Sequence, residues 1–554
     1  MNGFYRSTAI FLVLAAFAVA PVLSQADDPE AGPGSPEETD IILPTLLLRI
    51  EDIAVEDVRV ALPDPSEIPA PRVSAPLPDE TQLYVPDIIF GLPDPGAFTI
   101  PPTGESSFFS TGILGVGNRN SIMGGVSLYK LGIDPRFRFQ FSHDALDGFQ
   151  RNPVGAGFFS RTDTIDAWIA SRLGAVDFDV EAAFLEKEDG LQGSGTGTYY
   201  SVNLRRVDGA ASLVYRPEEI VLLGFELVGD TVEKVVSVRD IEAEPVASGE
   251  INVSPRAYAT LTLPTVALGL DLAYDLKYRT PGGVEMYQSV SLAANADIVL
   301  SETLVIEGDV GVRWNPVEMF SYPFTLGVIG TFAEDFTVSV SGGLRFSQPT
   351  RSMLWRDEPM LDLSTDAGRF LTAQSWFGGA GLTWRVPEFG MVLDAGTEFS
   401  FARDGLVAER YDDEADAFAV SYGTIRSFTP RVNLQWSPIP ALQLDATWRS
   451  TILDRWLLDP AHVFSVSIDA IDSNERFGGG ASGEVRIYDD IAPPILGMNG
   501  FFRVTDGVEF VLELSDILAP LLERGRPRYG AVPGDLSPFI EPGFRLTVTT
   551  QISL

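Results

Sequence analysis

The sequence has no cysteine, only two histidines, and no long apolar run after its first twenty residues. Without cysteine the chain forms no disulfide and has no cysteine for a lipid anchor. A catalytic zinc site is improbable, because such sites usually take three protein ligands that include His or Cys. No later run approaches the ~18 apolar residues of a membrane helix, so a membrane-spanning form of this chain must be a β-barrel.

Basic residues are also scarce. The 39 Lys and Arg stand against 77 Asp and Glu, which gives a formal charge of −38. Nucleic acid is therefore excluded as a partner, since phosphate binding needs clustered Lys and Arg.

Residues 1–26 are predicted to be a secretory signal peptide. Arg6 precedes an apolar core at 9–20, and Ser24 and Ala26 are small residues suited to cleavage. A signal anchor is the competing interpretation, but the apolar core is short and Pro21 ends it.

Residues 27–104 form a proline-rich acidic segment with 15 Pro, 16 Asp plus Glu, and three Arg. Dense proline favours extended backbone and a semi-rigid, solvated linker. The alternative is a periplasmic arm, or a segment inside a pore, that docks through the apolar residues of 46–60. In that case residues 41–100 hold a periplasmic protein partner.

From residue 105 to 554 the chain alternates apolar and polar residues. In the stretch 265–279, Leu268, Leu270 and Leu272 fall on one face of a strand, and Asp271 and Asp275 fall on the other. Counting such stretches gives about 20 to 24 strands of about 9–13 residues, with no helix between them.

Strand length separates a soluble core from a membrane wall. Strands of soluble sheets average ~5–6 residues, whereas tilted membrane strands need ~9–11. Short turns alternate with long polar stretches at 187–197, 347–369, 402–416 and 521–542, as in bacterial outer-membrane barrels. The sequence therefore predicts an all-β fold: a large antiparallel transmembrane barrel over 105–554, in contact with outer-membrane lipid.

One face of each strand is predicted to contact lipid, and the other face is predicted to line the lumen. Apolar side chains, Leu268, Leu270, Leu272, Leu304, Ile306, Val338 and Val340 among them, are expected to face lipid. The charged residues expected to face the lumen are Asp271, Asp275, Glu307, Asp309 and Arg345. The acidic excess of residues 105–554 predicts that an open pore prefers cations.

The last strand is predicted to close the barrel. "PGFRLTVTTQISL" (542–554) alternates strictly, and an open edge is not tolerated in lipid, so 544–554 should pair with the first strand near 105–116. Residues 508–554 also resemble the last two strands of TonB-dependent outer-membrane receptors, through Arg526, Tyr529, Pro542, Gly543 and Arg545. The resemblance implies 22 strands and solute transport. It does not extend to a plug domain, since 27–104 contain no recognisable plug motif.

No catalytic residue and no cofactor are predicted. Ser142 and His143 are neighbours on a strand, so they point to opposite faces and cannot form a nucleophile–base pair on their own. One acidic loop is a weak candidate for a divalent cation, through Asp412, Asp413, Glu414 and Asp416. A solvated acidic loop is the ordinary interpretation of the same residues.

Transport of a solute across the outer membrane is the leading functional hypothesis. The alternative is a structural or assembly barrel that holds a periplasmic partner through its N-terminal segment. A barrel hydrolase and a soluble secreted β-protein rank below these two.

Overall fold

The computed structural model describes residues 107–554, apart from 133, 150–151, 153, 156, 193–198, 239–245, 281–284, 334, 364–371, 413–416, 455–458, 523–525 and 527–538. The predicted signal peptide and the proline-rich segment lie outside the described residues. Over the described part of the chain, no helix is long and apolar enough to cross a membrane.

Twenty-four strand segments of this part form one antiparallel sheet. They are β1 (Ser107–Gly117), β2 (Ile122–Leu131), β3 (Arg136–Asp147), β4 (Phe159–Leu173), β5 (Val176–Gly190), β6 (Tyr199–Glu218), β7 (Val221–Val238), β8 (Val246–Thr262), β9 (Val266–Thr280), β10 (Glu285–Ser301), β11 (Leu304–Asn315), β12 (Met319–Ser321), β13 (Phe324–Ala333), β14 (Phe336–Ser347), β15 (Ala373–Val386), β16 (Met391–Asp412), β17 (Ala417–Ile439), β18 (Leu442–Ser450), β19 (Ile452–Leu453), β20 (His462–Ile471), β21 (Phe477–Ile487), β22 (Ile495–Thr505), β23 (Val508–Ser515) and β24 (Arg545–Ser553).

Two of these segments are short continuations of a neighbour. β12 and β13 both pair with β11 and are separated only by Tyr322 and Pro323, where proline lacks the donor that a ladder needs. β18 and β19 both pair with β17 and are separated by Thr451. The wall therefore has 22 strands, within the predicted range.

The sheet closes between its first and last strands. β1 pairs with β24 from Thr111↔Ser553 to Gly117↔Thr547, which confirms the predicted closure. Side chains reinforce this seam, since Arg545 Nε donates to Ser121 Oγ at 2.7 Å and Arg545 Nη1 donates to Asp144 Oδ2 at 2.9 Å. A closed sheet leaves no unpaired edge, as a membrane requires.

The exterior of the barrel is apolar. Leu270 and Leu272 are 53% and 50% exposed, and Val340 is 56% exposed. Exposed aromatic residues include Trp314, Phe320, Tyr322, Trp376, Trp384, Phe389, Trp436 and Phe477. Exposed apolar surface of this extent marks a membrane-facing wall, and aromatic girdles are typical of outer-membrane barrels.

The two ends of the barrel differ. Hairpins at the end that holds the first residue of β1 and the last of β24 are short, such as 174–175, 219–220 and 302–303. The opposite end, called the loop end here, carries the long connections 348–372 and 516–544. Short turns opposite long loops are the predicted arrangement.

Parts of the predicted loops are strand or helix. β16 runs to Asp412 because it stays paired with β17 beyond a bulge, from Gly405↔Gly423 onward, so most of 402–416 is sheet. Within 347–369, where no helix was expected, α1 (Arg351–Asp357) forms. Thr350 caps it, accepting a hydrogen bond at Oγ1 from Met353 N at 3.1 Å.

Candidate functional site

An apolar cluster crosses the loop end of the barrel. Its buried members are Leu191, Val202, Leu204, Val232, Trp355, Met360, Leu361, Leu363, Leu406, Phe418, Val420 and Phe539. They come from the start of the β5–β6 connection, from β6 and β7, from the loop-end parts of β16 and β17, and from both long connections. Because β8 to β11 and β13 to β15 separate β7 from β16 in the wall, the cluster bridges distant parts of the barrel rim.

Residues 348–363, named the cap segment here, are the centre of this bridge. Trp355 of α1 is 1% exposed and Leu361 is fully buried. The segment adds a parallel bridge to β17, where Phe418 N donates to Met360 O and Asp362 N donates to Phe418 O, each at 2.9 Å. Apolar burial and backbone pairing together hold the cap segment across the loop end.

Two lysines of the wall fasten the cap segment on the side of β7 and β9. Lys234 Nζ donates to Leu361 O at 2.9 Å and lies 5.6 Å from the centre of the Trp355 ring. Lys277 Nζ donates to Gln348 O at 3.3 Å and to Gln348 Oε1 at 3.1 Å. Both lysines thus donate to polar groups of the cap segment.

A buried carboxylate fastens the start of α1. Glu250 on β8 is ion-paired with Arg279 on β9, and their side chains are 0% and 6% exposed. Glu250 Oε1 also accepts from Arg351 N at 2.9 Å, and Arg351 Nη1 and Nη2 donate to Thr280 O at 2.8 Å and Leu363 O at 2.9 Å. Breaking a buried ion pair is strongly destabilising, so these contacts hold the cap segment to the wall.

The last long connection is anchored by Arg526, which is 2% exposed. Its guanidinium donates to both Asp516 oxygens at 2.7 and 3.1 Å and to Pro494 O at 2.8 Å. Burial raises the pKa of the neighbouring Glu541, although the charge of Arg486 acts in the opposite direction. Arg526, Tyr529 and Gly543 are among the residues on which the receptor resemblance rests. Gly543 has a positive φ of 79°. Tyr529 lies outside the described residues.

The side chains predicted to face the lumen lie opposite the exposed leucines. Asp271 pairs with Arg256, and Asp275 accepts hydrogen bonds from Ser254 at 2.8 Å and Ser289 at 3.0 Å. On β9 both aspartates share a face with Lys277, which contacts the cap segment.

The remaining three predicted residues lie on β11 and β14. Arg345 pairs with Glu398, whereas Glu307 and Asp309 stand opposite Asp297 and Asn295 of β10. The effect of all five charges on ion passage stays a prediction.

The histidine and the acidic loop add no assembled site. His143 Nδ1 lies 2.6 Å from Asp163 Oδ1, while Ser142 Oγ lies 2.5 Å from Thr164 Oγ1 on the opposite strand face. Asp413, Glu414 and Asp416 lie outside the described residues, and the side chain of Asp412 at the end of β16 is not described either. The cation site therefore stays a prediction.

The sequence analysis missed the cap segment. Its signal was present as "MLWRDEPMLDL" (353–363), an apolar cluster inside a stretch classified as polar loop. No sequence pattern predicts a role for Glu250 or Lys234. Both side chains contact the cap segment, which lies more than a hundred residues later in the sequence.

Similarity to solved structures defines the fold. The copper transporter OprC matches with a TM-score of 0.61 and 12% identity over 81% of each chain. The FrpB iron transporter from Neisseria meningitidis matches with a TM-score of 0.63 and 8% identity, over 81% of this chain and 82% of that chain. The fold is that of the TonB-dependent receptors.

The ferric enterobactin receptor PfeA of Pseudomonas aeruginosa has the same receptor-type barrel, with a TM-score of 0.59 and 11% identity over 82% of this chain and 81% of that one. No protein-family description matches the chain, and no curated protein matches it in sequence. By their titles these similar proteins are transporters or receptors. The resemblance predicted from residues 508–554 is thus confirmed for the fold.

Proposed function

We propose that this receptor-type barrel moves a solute across the bacterial outer membrane. The observation that carries the proposal is a closed 22-strand wall with an apolar exterior, a polar interior and a cap segment across its loop end. Barrels of this strand number enclose a wide lumen, so the loop end needs an obstruction if the membrane is to stay sealed. No contact among the described residues favours the alternative, an assembly component.

In this proposal the cap segment is the part that must shift when a solute enters from the loop end. It is held by the hydrogen bonds of Lys234, Lys277 and Arg351 and by apolar packing around Trp355. None of these contacts is covalent, so they can be exchanged for contacts with a solute. A periplasmic partner bound through residues 41–100 stays a prediction, since those residues lie outside the described part of the chain.

A reversible lock tests the proposal. The chain has no native cysteine, so Leu361→Cys with Phe418→Cys introduces a single possible disulfide between directly paired residues. Conductance in planar bilayers and swelling of liposomes in uncharged sugars are measured in the oxidised and the reduced states. We expect permeation to be lowest when oxidised and to recover on reduction.

The matched control is Leu361→Ser with Phe418→Ser, which loses the same apolar groups without forming a disulfide. Its permeation should not respond to oxidant. Equal permeation of the oxidised and reduced cysteine variant would place the cap segment outside the pathway. If neither the reduced variant nor the serine control passed any ion or sugar, the transport proposal itself would be wrong.

A further inference from the structure

A cavity of about 510 Å³ lies along β14–β18, on the face that carries Arg345. Its wall is made mainly of glycine and hydroxyl residues, including Ser339, Ser341, Gly379, Gly381, Ser450 and Thr451. This volume lies within the range of ~300–1,000 Å³ found for small-molecule sites. The cavity is separate from the apolar cluster beneath the cap segment, with which it shares no lining residue.

Two arginines of this cavity face each other without an acidic partner. Arg431 of β17 and Arg449 of β18 are directly opposite in the register. Within the described residues neither has an ion pair or a side-chain hydrogen bond, whereas Arg345 nearby is paired with Glu398. Like charges at opposed positions of a sheet are destabilising, so an anion bound between the two arginines would relieve their repulsion.

Glycine keeps the space around these arginines open. A Cβ on Gly396 would lie 3.2 Å from Arg431 Nε, so the Arg431 side chain rests across the backbone of Gly396. On the facing strand, a Cβ on Gly381 would lie 2.7 Å from Ser339 Oγ. Larger residues at these positions would fill the cavity floor and displace Arg431.

The charged residues of the cavity lining are Arg431, Arg449, Glu398 and the exposed Asp459. Glu398 is already paired with Arg345, which lies outside the lining, so it is not a dedicated partner of either lining arginine. Guanidinium groups bind carboxylate and phosphate by paired hydrogen bonds.

We infer that Arg431 and Arg449 form a binding site for a small solute carrying a carboxylate or phosphate group. The anion lies between the two guanidinium groups, and the serine and threonine hydroxyls bind the polar remainder of the solute. This inference rests on the proposed transport function in one respect: the cavity then lies on the path of the transported solute.

Calorimetry on the full-length protein in detergent tests the site with succinate and inorganic phosphate as probes. Succinamide, which has the shape of succinate without its charge, is the ligand control. We expect at least one anion to bind and succinamide not to bind. Arg431→Gln with Arg449→Gln should weaken that binding by at least about tenfold, as expected for the loss of charged hydrogen bonds.

Arg256→Gln is the matched control variant, because Arg256 pairs with Asp271 and does not line the cavity. Its affinity should stay within about twofold of the unaltered protein, since exposed ion pairs contribute little. Heat-modifiability on a gel verifies that each variant is folded. Absence of binding by both anions, equal binding of succinamide, or unchanged affinity in the folded double variant would overturn the inference.

The two proposals fail in different ways. Binding in detergent needs no flux, so a protein that binds succinate through the arginine pair but passes no solute in liposomes refutes only the transport proposal. A protein that passes solute but binds anions equally well without Arg431 and Arg449 refutes only the anion site.

Discussion

Adjacent residues of one strand meet opposite environments in this barrel. Leu270 is exposed on the apolar exterior, and Asp271 beside it points the other way and pairs with Arg256. The period of two in the sequence predicts that the two side chains lie on opposite strand faces, and the position of Asp271 in the lumen stays a prediction. The same pattern does not predict the ion pair of Asp271 with Arg256, because that pair depends on the register between β8 and β9.

A matched pair of substitutions follows from that division. Leu270→Arg places a cation in lipid, which costs ~2–4 kcal/mol near the midplane of a membrane barrel. Asp271→Arg leaves the added charge in a polar setting, although it loses the pair with Arg256. We expect a much smaller folded, heat-modifiable fraction for Leu270→Arg than for Asp271→Arg. Equal folded fractions would contradict the assignment of the two faces.

At the loop end, the sequence did not predict which residues form strand or helix. Turn-forming residues in 402–416 suggested a loop, yet the pairing of β16 with β17 continues and overrides the local preference. The cap segment contains polar residues on both sides of Trp355, and strands that include β7, β8, β9 and β17 supply its partners. Contacts between residues so far apart in the sequence cannot be predicted from the pattern of neighbouring residues.

Glu250→Gln tests what fastens the cap segment. The substitution keeps the shape of the side chain but removes the charge that Glu250 presents to the buried Arg279, and breaking a buried ion pair costs ~3–5 kcal/mol. Hydrogen exchange of residues 351–363 should become markedly faster, with little change in β20–β23. Glu226→Gln is the control, because Glu226 lies 3.7 Å from a half-exposed Arg256 and such pairs contribute ~0–1 kcal/mol. Unchanged exchange in Glu250→Gln would show that apolar packing alone holds the cap segment.

For the whole molecule, closure is the condition for folding. β24 pairs with β1 on one side and with β23 on the other, so its loss would expose two sheet edges to lipid. Deleting residues 545–554 should abolish heat-modifiability and membrane integration. Arg545→Gln, which removes only the side-chain contacts of the seam, should retain both. A truncated chain that still integrates would contradict closure by β24.

Ion selectivity is also a property of the whole barrel. Residues 105–554 hold 61 acidic and 35 basic residues, a formal charge of −26. Some acids of the predicted lumen face, such as Asp271, are paired with arginine, and charges in exposed loops are screened within ~8 Å at physiological salt. The remaining excess still favours cations, so reversal potentials across a KCl gradient should show cation preference in any open form.

The arginine pair, Arg431 and Arg449, allows a second test of the predicted cation preference. Arg431 and Arg449 are the local exception to the acidic excess, and removing two positive charges should make the lumen more cation-selective. Arg431→Gln with Arg449→Gln should therefore shift the reversal potential further toward the cation limit, and Glu307→Gln with Asp309→Asn should shift it back. The two double variants change the charge by the same amount with opposite sign, so each is the control for the other. Shifts in the same direction, or an anion preference in the unaltered protein, would show that these four side chains do not set the field along the conducting path.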